Sequence, residues 1–188
     1  MYLIIGLGNP DKQYEGTRHN VGFKFLDALA KEMKASEFVL EKKLEAEIAS
    51  GKFNDQKVIL AKPQTYVNNS GVAVKKIKTF YKLKNENIII IHDDLDVPFG
   101  STKLTPESGP GGHKGVASII NHLKTEKIYR LKIGIGNSKL KLARSQSSDE
   151  KRKELIGNLV LSSFTSTEKE DLKKIIKEGL AKLTQIVS

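Results

Sequence analysis

Apolar residues recur along this chain with two different spacings, and the changes between them mark its elements. Tyr2-Leu3-Ile4-Ile5 is a short apolar strand running into Gly6-Leu7-Gly8-Asn9-Pro10. Val21, Phe25, Leu29 and Met33 then recur every fourth residue, with Leu26 and Ala30 beside them, which predicts a helix with one buried face. Asn20 stands where that helix needs an N-cap. Leu44, Ala46 and Ile48 alternate with Glu45, Glu47 and Ala49 as a half-exposed strand. Phe53-Asn54-Asp55-Gln56 turns the chain into a second strand, Lys57 to Ala61, so the pair reads as a hairpin and the sheet as mixed. A helix follows with Val72, Ile77, Phe80 and Tyr81 as apolar positions, after three good caps, Asn68, Asn69 and Ser70.

The clearest pattern is Ile88-Ile89-Ile90-Ile91, which leads into His92-Asp93-Asp94-Leu95-Asp96-Val97-Pro98. An unbroken β-branched run after a polar turn predicts a strand buried on both faces, with helices on either side. The acids then fall at its carboxyl end, the edge where open α/β sheets build sites. Gly100 to Thr105 predicts a short strand, Val116 to Leu123 a helix, and Tyr129 to Gly136 a strand with cations on alternate positions. Residues 139–154 are polar and basic, with Ser145-Gln146-Ser147-Ser148 at the centre, and read as a mobile loop or lid or as a solvated insertion. A C-terminal helix is expected over residues 167–187, with Thr167 and Glu170 in capping-box spacing. The fold class that follows is α/β: one domain over residues 1–188 around a mixed, mostly parallel sheet.

Composition narrows the function. The 188 residues contain no cysteine, which removes disulfide scaffolds, thiolate zinc sites and thiol catalysis. No apolar run approaches the roughly 20 residues of a membrane span, so a cytoplasmic protein is expected. A formal charge of +10 favours a polyanionic partner, with phosphate backbones the commonest, although heavy lysine use alone would give the same excess.

Several loops carry candidate chemistry. Gly6-Leu7-Gly8 opens like a dinucleotide fingerprint but lacks the third glycine, and Pro10-Asp11 falls where the phosphate-binding helix would begin. His19 lies just ahead of a helix N-terminus, where the dipole disfavours protonation and supports the neutral imidazole of a general base. Ser108-Gly109-Pro110-Gly111-Gly112-His113-Lys114-Gly115 feeds a helix and reads as an anion site of free N–H groups, without the ending of a P-loop. His92, Asp93, Asp94 and Asp96 resemble a divalent-metal cluster in composition, but they alternate in direction if the strand persists.

Together these loops resemble the bacterial-type peptidyl-tRNA hydrolases. The matching runs are Gly6-Leu7-Gly8-Asn9-Pro10, Thr17-Arg18-His19-Asn20, Pro63 to Gly71, His92-Asp93-Asp94-Leu95-Asp96, Gly111-Gly112-His113-Lys114-Gly115 and Arg130 to Gly136, in the family's order and spacing. The resemblance implies a three-layer α/β/α sandwich and hydrolysis of the ester joining a peptide to the 3′-terminal ribose of tRNA, which recycles tRNA from prematurely released chains. It implies His19 as catalytic base and Asp93 as its partner. It places Asn9 and Asn68 near the substrate, with Asn9 linked to telling peptidyl from aminoacyl groups, and Tyr14 and Tyr66 at the tRNA end. No metal, cofactor or obligate protein partner is implied, and a monomer is expected.

Three positions depart from the family pattern. Lys114 stands where asparagine is common, Lys132 where arginine is usual, and Thr105 where some members have a lysine. An amide contact at 114 becomes a charge contact, and Lys132 keeps charge but loses bidentate phosphate geometry. Lys103, two residues from Thr105 on the same strand face, is the expected substitute. Two other readings stay open on the residues alone. One is a non-catalytic RNA-binding relative, and the other a metal-dependent hydrolase built on His92, Asp93, Asp94 and Asp96.

Overall fold

A computed structural model describes residues 1–106 and 108–188. The first strand, β1 (Tyr2–Gly6), leads through two 3₁₀ turns (Lys12–Tyr14 and Arg18–Asn20) into α1 (Val21–Glu32). Then come β2 (Val39–Glu41), β3 (Ala46–Phe53), β4 (Gln56–Pro63), a 3₁₀ turn (Val67–Asn69) and α2 (Ser70–Phe80). The second half runs β5 (Ile88–Pro98), β6 (Thr102–Thr105), α3 (Lys114–Leu123), β7 (Tyr129–Gly136), α4 (Ser138–Arg144), α5 (Asp149–Val160) and α6 (Ser166–Leu183).

The strands form one sheet in the order β2-β3-β4-β1-β5-β7-β6. The pairings β4–β1, β1–β5 and β5–β7 are parallel, while β2–β3, β3–β4 and β6–β7 are antiparallel. Only β3 and β6 therefore run against the rest, and the expected mixed, mostly parallel sheet is what forms. The β3–β4 hairpin closes through Asn54 and Asp55, both at positive φ (51° and 60°), the conformation a tight two-residue hairpin turn demands.

Period-two packing divides the core between the two faces. Ile4, Ile89, Ile91, Leu131 and Ile133 point to one side, against Phe25, Leu26 and Leu29 of α1 and Leu172, Ile175 and Leu183 of α6. Leu3, Ile5, Ile88 and Ile90 point to the other, against Val74 and Ile77 of α2 and Val116 and Ile119 of α3. Ile88 to Ile91 are fully buried. At about 1.5–3 kcal/mol per buried aliphatic side chain, these four residues alone hold β5 in place in the middle of the sheet.

Glycine lets the loop after β1 and the start of α1 close on that strand. A Cβ on Gly22 would lie 2.5 Å from both the Ile91 carbonyl oxygen and the Leu7 nitrogen, and one on Gly6 would lie 2.4 Å from the Gly22 carbonyl oxygen. Backbone thus meets backbone where β1, α1 and β5 converge, and the loop carrying His19 is drawn to the carboxyl end of β5.

Four local expectations are corrected. Residues 139–154 are not a loop: they lie in α4 and α5, anchored by buried Leu140 and Ala143. The polar serine run only separates the two helices, with Ser148 capping the second. The C-terminal helix starts one residue earlier than expected, and its capping box is Thr165 with Glu168, not Thr167 with Glu170. Asn20 does not cap α1, because its side chain is bonded elsewhere. Finally, β5 does not end at Ile91 but continues through His92 to Pro98, so the acids lie within the strand and not beyond its end.

Candidate active site

The site begins with strand alternation. In β5, Asp93 shares the face of Ile89 and Ile91 and lies near the first turn of α1, while His92 shares the opposite face with Ile88 and Ile90. Asp93 is 3% exposed. Its Oδ1 meets His19 Nδ1 at 2.8 Å and His113 Nε2 at 3.0 Å. A carboxylate only accepts, so each imidazole donates an N–H to that one oxygen. His113 Nδ1 is the acceptor for the Gly115 and Val116 amides, 3.1 and 3.4 Å away, so His113 is both the N-cap of α3 and a partner of Asp93. These two donors at the head of α3 are therefore already taken by the loop's own histidine.

Burial alone would raise the Asp93 pKa, but the two histidines outweigh it and hold the carboxyl well below the usual carboxylate range. For His19, burial lowers the pKa; the Asp93 charge and hydrogen bond outweigh it, and Lys114 opposes them, leaving the imidazole above its ordinary value. The helix-dipole expectation of a depressed His19 is thus overruled by a full charge at hydrogen-bond distance. His92 behaves in the opposite way: burial, assisted by the neighbouring His113, pushes it well below its ordinary value. It bonds the Asp93 carbonyl oxygen through Nδ1 at 2.6 Å and packs edge-on against the His113 ring, with centroids 4.8 Å apart.

Among the described residues, His19, Asp93 and His113 are the one group whose ligand atoms crowd closely enough to consider for a metal. Hydrogen bonds account for this group as it stands: both ring nitrogens meet the same Asp93 oxygen, at 2.8 and 3.0 Å. The His92, Asp93, Asp94 and Asp96 cluster does not assemble: Asp94 pairs with Lys132 at 2.9 Å, Asp96 with Arg144 at 2.5 Å, and His92 is buried.

Around the histidine pair the loops interlock. Asn20 Nδ2 donates to the Asn9 carbonyl and Asn20 Oδ1 accepts from the Asn9 amide, each at 2.9 Å. Asn9 Oδ1 accepts from the Val67 amide at 3.0 Å, which joins the first loop to the turn bearing the exposed Asn68. Tyr66, before that turn, has φ 56° and ψ 155°, a region nearly confined to glycine, and its hydroxyl donates to Asp11. That bond raises the Tyr66 pKa, and Tyr14 is close enough to add to the effect. Lys114 is exposed at the start of α3 and close enough to His19 to influence it.

The structure therefore brings together Asn9, His19, Asp93, Lys114 and the turn with Asn68, and pairs the segments that carry Tyr14 and Tyr66. Lys103 and Lys132 form a separate basic pair, directly opposite each other on β6 and β7, with Lys132 held by Asp94. Thr105 faces Arg130 in the same ladder. Two site residues were missed in the sequence, His113 and Asn20. For His113 a signal was present: like His19, it immediately precedes the first residues of a helix.

Comparison with known proteins agrees with this geometry. Residues 3–188 match the peptidyl-tRNA hydrolase family. A peptidyl-tRNA hydrolase of Aliarcobacter butzleri is 44% identical over 180 residues, covering 96% of this chain and 88% of that protein. One from Aquifex aeolicus is 40% identical over 185 residues, covering 98% and 89%. The crystal structure of peptidyl-tRNA hydrolase from Acinetobacter baumannii superposes with a TM-score of 0.85 at 33% identity, over all of this chain and 88% of that one. With the family match spanning nearly its whole length, this chain belongs to the peptidyl-tRNA hydrolase family.

Proposed function

We propose that this chain hydrolyses the ester between the peptide and the 3′-terminal ribose of peptidyl-tRNA, with His19 as general base and Asp93 as its orienting partner. Family membership supports the reaction, and the 2.8 Å contact between His19 Nδ1 and Asp93 Oδ1 carries the mechanism. With Nδ1–H donated to Asp93, the lone pair of neutral His19 is on Nε2, away from the carboxylate. Nε2 takes a proton from water as its oxygen attacks the ester carbonyl carbon. The buried carboxylate stabilises the imidazolium so formed. The tetrahedral intermediate then collapses, the bond to the ribose oxygen breaks, and that oxygen takes the proton back from Nε2.

The oxyanion needs donors. Asn68, exposed on the turn that Asn9 ties to the first loop, and Asn9, whose Oδ1 is already engaged by Val67, are assigned that role through their amide N–H groups. One such donor is typically worth about 3–4 kcal/mol of transition-state stabilisation. Asn9 is also placed to require the peptide amide beyond the ester, because a buried polar group left unmatched by a free aminoacyl ester is costly. Tyr14, Tyr66 and Lys114 line the approach for the acceptor end, and Lys103 with Lys132 supplies positive charge for its phosphates. The reaction is read as that of a cytoplasmic monomer with no metal or cofactor. Among the described residues no helix is long and apolar enough to cross a membrane.

The test compares wild type with His19→Ala for release of peptide from peptidyl-tRNA, with and without EDTA. The expected loss on removing a general base is about 10²–10⁴-fold, with no effect of the chelator on wild type. Activity surviving in His19→Ala, or vanishing from wild type with EDTA, contradicts the mechanism.

A further inference from the structure

The residue next to His19 makes contacts that the chemistry above does not use. Arg18 is 4% exposed, and its guanidinium is directed toward the C-terminal part of the chain. Nη2 donates to both oxygens of Glu168, at 2.9 and 2.8 Å, and Nε to the Ser162 hydroxyl at 3.1 Å. The guanidinium carbon sits 4.8 Å from the centre of the Phe164 ring. Backbone reinforces the link: the Arg18 amide donates to the Ser162 carbonyl at 3.0 Å, and Thr17 forms an isolated antiparallel bridge with Ser163.

Glu168 is itself fixed. Both halves of the α6 capping box are made: the Thr165 hydroxyl accepts from the Glu168 amide, and a Glu168 oxygen accepts from the Thr165 amide. Burial opposes its ionisation, but the Arg18 bonds and the Thr165 amide hold its carboxyl below the ordinary range. The 3₁₀ turn Arg18–Asn20 spans less than one turn of α-helix and has no side-chain cap of its own. Its geometry is set from outside, by Asn20 on one side and Arg18 on the other.

We propose that Arg18 is a positioning residue for His19: locked onto Glu168 at the head of α6, it holds the Arg18–Asn20 turn so that His19 Nδ1 meets Asp93. The inference deepens the function proposed above and rests on its assignment of His19. It also joins helices α4 and α5 to the site, since the Ser162–Phe164 junction that grips Arg18 follows α5. Arginine suits this role because its guanidinium meets two partners at once, Nη2 on the Glu168 carboxylate and Nε on the Ser162 hydroxyl, whereas lysine has a single ammonium.

The discriminating variant is Glu168→Gln, which keeps a capping-box side chain at that position but removes the ion pair with Arg18. The first readout needs no substrate. In wild type, NMR should show the His19 Nδ1 proton as a downfield resonance protected from exchange; in Glu168→Gln it should broaden or exchange at least tenfold faster. The second is kcat on the pH plateau, where His19 is neutral in both proteins and a pure charge effect on its titration is silent. There kcat should fall about tenfold with KM within twofold, and Glu168→Gln should add nothing in a His19→Ala background. Arg18→Lys should reproduce the resonance change. An unaltered Nδ1 resonance and plateau kcat in a folded Glu168→Gln would overturn the inference, and the resonance decides it even if the substrate reading fails.

Discussion

His113 Nε2 lies 3.0 Å from Asp93 Oδ1, the same oxygen that receives His19 Nδ1. One buried carboxylate therefore serves two imidazoles that arrive from opposite faces of the sheet, one ahead of α1 and the other ahead of α3. This shared oxygen explains why Asp93 stays ionised despite burial, and why the His19 pKa is raised despite its own. Four expectations follow from this arrangement and its surroundings.

Replacing Asp93 by Asn removes the charge that raises the His19 pKa. Without it burial and Lys114 remain, and both lower that pKa. Since the active form is the neutral imidazole, the acidic limb of the kcat/KM profile should move to lower pH in Asp93→Asn. The plateau should fall about 10²–10⁴-fold, because the amide no longer selects the tautomer or stabilises the imidazolium. Rate profiles between pH 4 and 9 measure both effects, and a limb moving to higher pH would contradict the assignment.

His113 has two separable tasks. Asn at this position can still cap α3, whereas Ala cannot, so His113→Ala should be less stable than His113→Asn by about 1 kcal/mol. Both lose the bond to Asp93, and both should lose about tenfold in kcat. Thermal unfolding and steady-state kinetics on the same two proteins separate the cap from the carboxylate contact.

The lysines should differ in how they bind RNA. Lys132 is already paired with Asp94 and largely covered, whereas Lys114 is exposed. A phosphate contact contributes about 0.7–0.9 to the slope of log affinity against log salt. Lys114→Ala should reduce that slope by nearly one full contact and Lys132→Ala by clearly less, with kcat of the latter unchanged. Binding of uncharged tRNA between 50 and 300 mM salt would show the order.

Tyr66 should invert the usual ranking of glycine and alanine. Its backbone conformation costs a non-glycine residue roughly 1–3 kcal/mol, while glycine normally loses about 0.5–1 kcal/mol to chain entropy. Tyr66→Gly should therefore be more stable than Tyr66→Ala by about 1 kcal/mol, or 2–4 °C in Tm for a chain of this size. Equal or reversed melting temperatures would show that the strain is not there.

Local pattern determined much of this protein. Consecutive β-branched residues at 88–91 require burial on both faces, period-four apolar positions require α1, and Asn54-Asp55 permits a tight hairpin. The two central residues of the site, His19 and Asp93, were legible as a histidine before a helix and an acid at the end of a buried strand. These properties depend on spacings of a few residues, which a sequence displays directly.

The rest depends on distances that a sequence does not display. His19 and Asp93 are 74 residues apart, and Arg18 and Glu168 are 150 apart. Only the close approach of Gly6 and Gly22, and the docking of α6 beside α1, bring them into contact. The polar segment at 139–154 shows the converse error: its composition suits a loop, but burial of Leu140 and Ala143 makes two helices of it. In β5, tertiary pairing with β7 carries the strand past Ile91, and alternation turns Asp93 away from His92 and Asp94, leaving it between His19 and His113. Residue types and periods set which groups were available; packing of distant segments decided which of them meet.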